Sequence, residues 1–161
     1  MEALIRPIAP GSDEEIAWVA SRMRATLVEL LGEQRGGGMY TTEWLRERVR
    51  FHLDPAQCEG GVFVAVVAES LAGHTIVRRE TWEDGSTFGL FSTFWVEPGH
   101  RRSGLASRLV ASGERWMRER GLKVFRTWTD PGNAPLIALM GGLGYAIEGE
   151  RGEFVVLRKE A

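Results

Sequence analysis

The sequence predicts a mixed α/β domain built on a mostly antiparallel sheet that contains one parallel strand pair. Three observations carry this reading. Apolar residues recur at three- and four-residue spacing in two early segments, then give way to β-branched and aromatic runs. Turn chemistry, including Asp84-Gly85, punctuates those runs and joins them as a meander. Further on the pattern reads strand, helix, strand, which requires a crossover and therefore a parallel pair.

Residues 3–8 read as a first strand closed by Pro7 and Pro10. Ser12 followed by Glu15 forms a capping-box pattern, in which each side chain can satisfy the other's backbone N–H. Behind it, Ile16, Val19, Ala20, Met23, Leu27, Leu30 and Leu31 make one apolar helical stripe. Residues 32–39 hold Gly36-Gly37-Gly38, which cannot continue a helix cheaply, and are expected to form a mobile loop. A second helix follows Thr42, with Leu45, Val49 and Leu53 inward, and ends before Pro55. Residues 61–68 are a nearly continuous apolar run, expected to be a strand buried on both faces. Residues 72–79 and 87–96 complete a three-strand meander, the last rich in β-branched and aromatic residues. The second half adds a long amphipathic helix from about Ser103 to Arg120, a strand to Thr129, a helix capped by Asn133, and two short strands. The count is six to seven strands and four helices in a single domain spanning residues 1–161.

Composition bounds the function. Apolar residues are 43% and charged residues 26% of the chain, ordinary for a protein that builds its own core. A net charge of -2 argues against broad nucleic-acid binding, which needs a strongly basic surface. Cys58 is alone, so no internal disulfide forms, and a reducing cytoplasm is the expected location. No apolar run reaches the ~20 residues of a membrane span. His52, His74 and His100 lie in different elements without ligand spacing, so no metal site is expected.

The stretch Val96-Glu-Pro98-Gly-His-Arg101-Arg-Ser-Gly104-Leu-Ala106 carries the chemistry. A strand ends at Pro98, a basic glycine-containing loop follows, and a helix begins. Backbone N–H groups at a helix start have no intrahelical partner and sit at the positive end of its dipole, so a diphosphate gains hydrogen bonds and field there. Gly104 allows close approach, Ala106 keeps the next turn thin, and Arg101 and Arg102 add cationic donors. The loop is not a P-loop, lacking Gly-Lys-Ser/Thr, and lacks the three-glycine dinucleotide spacing.

Arg101-x-x-Gly104-x-Ala106 after Val96-Glu-Pro98 resembles the acetyl-CoA signature of the GNAT superfamily of N-acetyltransferases. Asn133-Ala-Pro-Leu136 followed by Leu143-Gly144-Tyr145 is similar to that family's second motif, and the element order matches its fold over nearly the whole chain. The resemblance implies a central sheet whose fourth and fifth strands splay to admit acetyl-CoA as co-substrate, with no metal. Phe94, Trp95 and Val96 would pair with the pantetheine arm, and the Phe94 N–H would polarise the thioester carbonyl. Arg101, Arg102, Ser103, Gly104, Leu105, Ala106 and Ser107 would hold the pyrophosphate. Asn133 would contact the pantetheine arm or the adenine side. The acceptor would be a small-molecule or peptide amine. Neither nucleic acid nor membrane is expected as a partner, and homodimers are common in the family.

The chain departs from the family where protons move. The tyrosine that many members place three residues before Leu-Gly-Phe/Tyr is Met140 here, and a thioether donates no proton. Tyr145 is a poor substitute, because its motif position is packed in the core. Strict alternation puts Leu90, Ser92 and Phe94 on one face of the fourth strand and Phe91, Thr93 and Trp95 on the other, with no carboxylate among them. Glu97 is expected to face solvent, and Glu80, Glu83 and Asp84 either reach an acceptor or solubilise a turn. A water held by Ser92 is an alternative base. Trp18 and Trp44 are the candidates for an acceptor pocket. Acetyl transfer to a primary amine by direct attack leads, and a silent acyl-CoA-binding module or a transferase for a longer acyl group are the alternatives.

Overall fold

The chain runs β1 (Ala3–Pro7), α1 (Asp13–Leu31), α2 (Glu33–Gly38), α3 (Thr42–Leu53), β2 (Gly60–Val67), β3 (Ser70–Thr81), β4 (Thr87–Val96), a 3-10 turn (Pro98–His100), α4 (Leu105–Glu119), β5 (Val124–Thr129), α5 (Ala134–Gly142), β6 (Ala146–Arg151) and β7 (Phe154–Glu160). The structure, a computed structural model, describes residues 2–9 and 11–161. Pro10, expected to help close the first strand, lies outside the described residues. The seven strands form one sheet in the order β1-β2-β3-β4-β5-β7-β6. Every neighbouring pair is antiparallel except β4 and β5, the parallel pair that the crossover through α4 requires. None of the described helices is long and apolar enough to cross a membrane.

Helices lie on both faces of the sheet. On one, α1 and α3 bury Ile16, Val19, Ala20, Leu45 and Val49 against Val62, Val64 and Ile76. On the other, α4 and α5 bury Val110, Trp116, Met117 and Met140 against Val77, Phe91, Phe125 and Leu157. The unbroken apolar run of β2 follows from this: Val62 and Val64 feed the first core, while Ala65 and Val67 feed a third cluster under Leu105 and Leu109. Helices α1 and α3 lie over β2 to β4, while on the half made by β5, β7 and β6 the buried Arg126 pairs with Glu148 at 2.8 Å and stacks over Trp82 at 3.8 Å.

Two local expectations are corrected. The glycine-rich segment is not a loop: α2 forms there because Gly36 packs its bare Cα against the backbone of Leu27 and Val28, where any Cβ would collide. The capping box at α1 is only half made. Ser12 Oγ accepts from Glu15 N at 3.2 Å, but the Glu15 carboxylate instead takes Ala9 N at 2.8 Å and the Arg6 guanidinium. The bidentate pair with the charged Arg6 guanidinium holds the carboxylate more strongly than the cap's backbone N–H would.

The decisive irregularity is in β4. Its register with β3 runs Ile76↔Thr93 and then Val77↔Phe91, so Ser92 is an extra residue without a partner, a β-bulge. The bulge resets the alternation expected of this strand. Phe91 and Phe94 come onto one face, their rings stacked with centroids 5.0 Å apart.

Candidate active site

The parallel ladder between β4 and β5 has only three rungs, Gly89↔Phe125, Leu90↔Arg126 and Phe91↔Thr127. At the last rung the Thr127 hydroxyl donates to the Phe91 carbonyl at 3.0 Å, occupying the acceptor that a further rung would use. Beyond it the bulge at Ser92 turns β4 away, and the two strands part. Glu97 N donates to Ala72 O at 2.8 Å, and Trp95 and Thr93 pair with His74 and Ile76. Those three residues thus direct their backbone groups at β3. Phe94 and Val96, between them, direct theirs into the gap. The Val96 carbonyl accepts from Arg101 Nε at 2.8 Å, and the Phe94 carbonyl lies 3.4 Å from Thr26 Oγ1. What the gap offers is therefore two N–H donors, at Phe94 and Val96.

The loop after β4 has the shape that its sequence suggests. Arg102 has φ 62° and Gly104 φ 83°, so backbone turns alternate and bring successive N–H groups to one side. Among the described residues, none of the backbone N–H groups from 102 to 107 donates to a protein acceptor; the first helical bond is Arg108 N to Gly104 O. Gly104 is the N-cap of α4 and supplies no side chain, and a Cβ there would meet nothing within 4 Å. Six donors at the positive end of a fifteen-residue helix, with open space before them, suit a diphosphate. Ser103 Oγ turns inward to the His100 carbonyl and steadies the loop.

Arg101 does not project freely. Its guanidinium pairs with both Glu29 oxygens at 3.1 and 3.0 Å and stacks over Trp95 at 4.7 Å. It clasps α1 to the end of β4 and leaves Arg102, among the described residues, as the cation of the two without a carboxylate partner. Asn133 caps α5, accepting from Leu136 N at 3.4 Å, and donates to Thr129 Oγ1 at 3.0 Å; its amide ties the end of β5 to α5.

Glu97, expected in solvent, is held: its carboxylate accepts from Arg22 Nε at 2.8 Å and from Trp95 Nε1 at 3.2 Å. Trp18 is packing rather than pocket, set edge-on to the buried His74 at 6.3 Å and capped by Arg22 at 4.8 Å. Trp44 is exposed and stacks on Tyr40 at 4.2 Å. Asp84 is spent on its own turn, accepting from Ser86 N and Oγ. Among the described residues, no group of three or more His, Cys, Asp or Glu is placed to hold a metal ion. Burial raises the Cys58 thiol above its ordinary range, which disfavours a thiolate nucleophile.

Proton-transfer groups are sparse. Met140 is fully buried in the core under α5. Tyr145 is buried too, and its hydroxyl donates to Glu114 Oε2 at 2.6 Å, with Lys159 Nζ at 3.1 Å from the same oxygen. Burial and that carboxylate drive its pKa far up, so it holds its proton. On the α3 side of the gap the bulged Ser92 is exposed, 3.4 Å from Arg78 NH1. Arg78 also donates through Nε to Glu80 at 2.8 Å, and its NH1 lies 3.0 Å from His52 Nε2. Because His52 Nδ1 sits 2.8 Å from the Arg48 carbonyl, it must donate there, which fixes Nε2 as the acceptor from Arg78. Burial pushes His52 down to about 4, so the ring is neutral at pH 7. This cluster of Arg48, His52, Arg78, Glu80 and Ser92 was not visible in the sequence, where it is scattered over forty-five positions and three elements.

A model of the Acetyltransferase (GNAT) family matches residues 24–145. The chain is 28% identical over 148 residues to the mycothiol acetyltransferase of Nocardiopsis dassonvillei, covering 89% of this chain but only 42% of that relative's length. Among solved structures, the PaiA N-acetyltransferase of Thermoplasma acidophilum in complex with coenzyme A superposes with a TM-score of 0.78 at 14% identity, each chain covered in full. Ard1 of Thermoplasma volcanium gives 0.70 at 18% identity, covering 100% of this chain and 99% of its own. At those identities the structural likeness shows the fold. The family match, extending over most of the chain, shows more: the chain belongs to the acetyltransferase (GNAT) family.

Proposed function

We propose that the protein transfers an acetyl group from acetyl-CoA to a primary amine by direct attack within a ternary complex. The observation that carries this is the three-rung β4–β5 ladder opening at Ser92, with the Phe94 and Val96 N–H groups turned into the gap. Residues 102–107 hold the pyrophosphate through backbone N–H groups, with Arg102 adding charge. The Phe94 and Val96 donors receive the pantetheine arm as an added strand would be received. Acetyl-CoA supplies an activated thioester. The Phe94 N–H donates to its carbonyl oxygen, where negative charge develops as the amine nitrogen bonds to carbon and the carbon–sulfur bond breaks. As the amide forms, the nitrogen yields one proton, which water carries to the departing thiolate. The amine attacks as the free base, so its ammonium proton must leave first. Glu80 and a water on Ser92 Oγ are the groups on the α3 side able to receive it. Met140 cannot protonate the leaving thiolate, which departs unassisted or to water. That forgoes a contribution of typically ~10²–10⁴-fold, tolerable for a thiolate leaving group.

Thiol release from acetyl-CoA over a panel of primary amines tests the activity, and calorimetric binding of CoA tests the loop. Gly104→Val places a branched side chain at a left-handed position in the space before α4. It is expected to weaken CoA roughly tenfold or more, since left-handed strain alone costs ~1–2 kcal/mol. Unchanged CoA affinity in that variant would overturn the cradle. Tight CoA binding with no turnover on any amine would instead identify a silent binding module, the reading that Met140 favours. Propionyl- and succinyl-CoA in the same assay fix the acyl length.

A further inference from the structure

We propose that the acceptor amine also carries a carboxylate, held by Arg48 and Arg78 on the α3 side of the gap. The inference rests on the acetyl-transfer reading and names the substrate class for that site. The phosphate cradle belongs to α4, so an incoming amine meets the gap from the other face of the sheet, past α3 and Ser92. There the Arg78 guanidinium reaches His52 Nε2 at 3.0 Å and His52 Nδ1 donates to the Arg48 carbonyl at 2.8 Å, so both arginines belong to this side. Arg78 is nearly buried, its side chain 13% exposed, and is pinned by Glu80, by the neutral His52 and by Ser92 Oγ. Arg48 is half-buried over the Phe51 ring at 4.3 Å, and among the described residues no Asp or Glu pairs with it. The positive charge of Arg78 and the loss of solvent both act on the Arg48 guanidinium, lowering its pKa, and burial is the larger cause. Glu80 pairs with Arg78 alone among the described residues, so a second guanidinium in this partly dry site favours a further anion.

The charge tally selects the anion. His52 is neutral, and Glu80 offsets Arg78, so the cluster is left with the one positive charge of Arg48. A carboxylate balances it; a phosphate dianion would overshoot. Arg48 and the remaining Arg78 N–H bonds present planar forks suited to carboxylate geometry, and Ser92 Oγ adds a donor at the mouth of the gap. The exposed Tyr40–Trp44 stack lies beside them on α3 and its approach. A carboxylate anchored there leaves the amine end of the same molecule free to reach toward Phe94.

The test compares amino acids with their carboxamides as acceptors, each rate divided by its free-base amine fraction. The wild-type protein is expected to favour the carboxylate at least tenfold in kcat/KM, mostly through KM. Arg48→Met should bring that ratio near one, and Arg48→Lys should restore part of it. CoA affinity, measured in each variant, reports that the fold and donor site persist. A corrected wild-type ratio near one, or a ratio that Arg48→Met leaves unchanged, overturns the proposal, as does a preference for phosphoethanolamine over the amino acids. Binding of N-acetyl amino acids against their carboxamides, followed by tryptophan fluorescence with CoA present, separates the two readings. Arg48-dependent carboxylate binding without thiol release on any amine would sink acetyl transfer and keep the anion site. Turnover without carboxylate preference would do the reverse.

Discussion

Gly113→Ala should destabilise the protein, although helix propensity alone says the opposite. Gly113 lies in the interior of α4, where alanine would ordinarily gain ~1 kcal/mol. At this position, however, an added Cβ would overlap Phe91 Cε1 and stand 2.9 Å from Cζ and 3.1 Å from Val77 Cγ1. Phe91 cannot yield easily: it is 1% exposed, packed in the same cluster as Val77 and Val110, and stacked on Phe94. Overpacking of this kind costs ~1–3 kcal/mol, and a clash with a fixed aromatic ring belongs at the upper end. The net loss is about 1–2 kcal/mol, or ~2–8 °C in Tm for a domain of this size. Urea unfolding with an unchanged m-value is the assay. Phe91→Leu in the same chain should relieve the overlap, giving a double-variant loss smaller than the sum of the singles by at least ~0.5 kcal/mol. A Gly113→Ala protein more stable than wild type, or strict additivity with Phe91→Leu, would refute the packing argument. Because the Phe91 ring supports Phe94, the single variant should also lower kcat more than it raises KM for acetyl-CoA.

Tyr145→Phe should cost about 1.5–3 kcal/mol of stability, the worth of a hydrogen bond to a charged group, while leaving turnover at the wild-type level. A large fall in kcat would instead make Tyr145 the missing acid. Stability should also fall with acid in a defined window. His52 and His74 are buried and neutral, pushed down to about 4 and about 3, whereas the unfolded chain protonates them near 6.5. Between those values the unfolded state binds more protons, so stability rises with pH and is lost as pH drops from 6.5 toward 4, by up to ~1.4 kcal/mol per pH unit for each ring. His52→Gln should flatten the slope of unfolding free energy over that range, and an unaltered slope would show that the ring is protonated in the folded state.

The sequence by itself determined the order of the strands and long helices, the parallel pair and the basic glycine turn before α4, though not α2, because each is written in near neighbours. Periodicity marks the helices, Asp84-Gly85 marks a hairpin, and Arg101 to Ala106 places a basic glycine turn directly before a helix. Met140 as a departure from the family's acid was equally legible, being one residue at a motif position. The tertiary structure alone decided what depends on partners far along the chain. The bulge at Ser92 is invisible locally, since nothing in Phe91-Ser92-Thr93 says that β3 will skip a residue, yet it reverses the faces read by alternation. The fate of charges followed the same rule. Glu97 meets Arg22 and Arg101 meets Glu29, 75 and 72 positions away. The Arg48–Arg78 cluster exists only once α3 lies against β3. Local patterns encode backbone form because it is set by near neighbours; which charge meets which is set by the closing of the sheet.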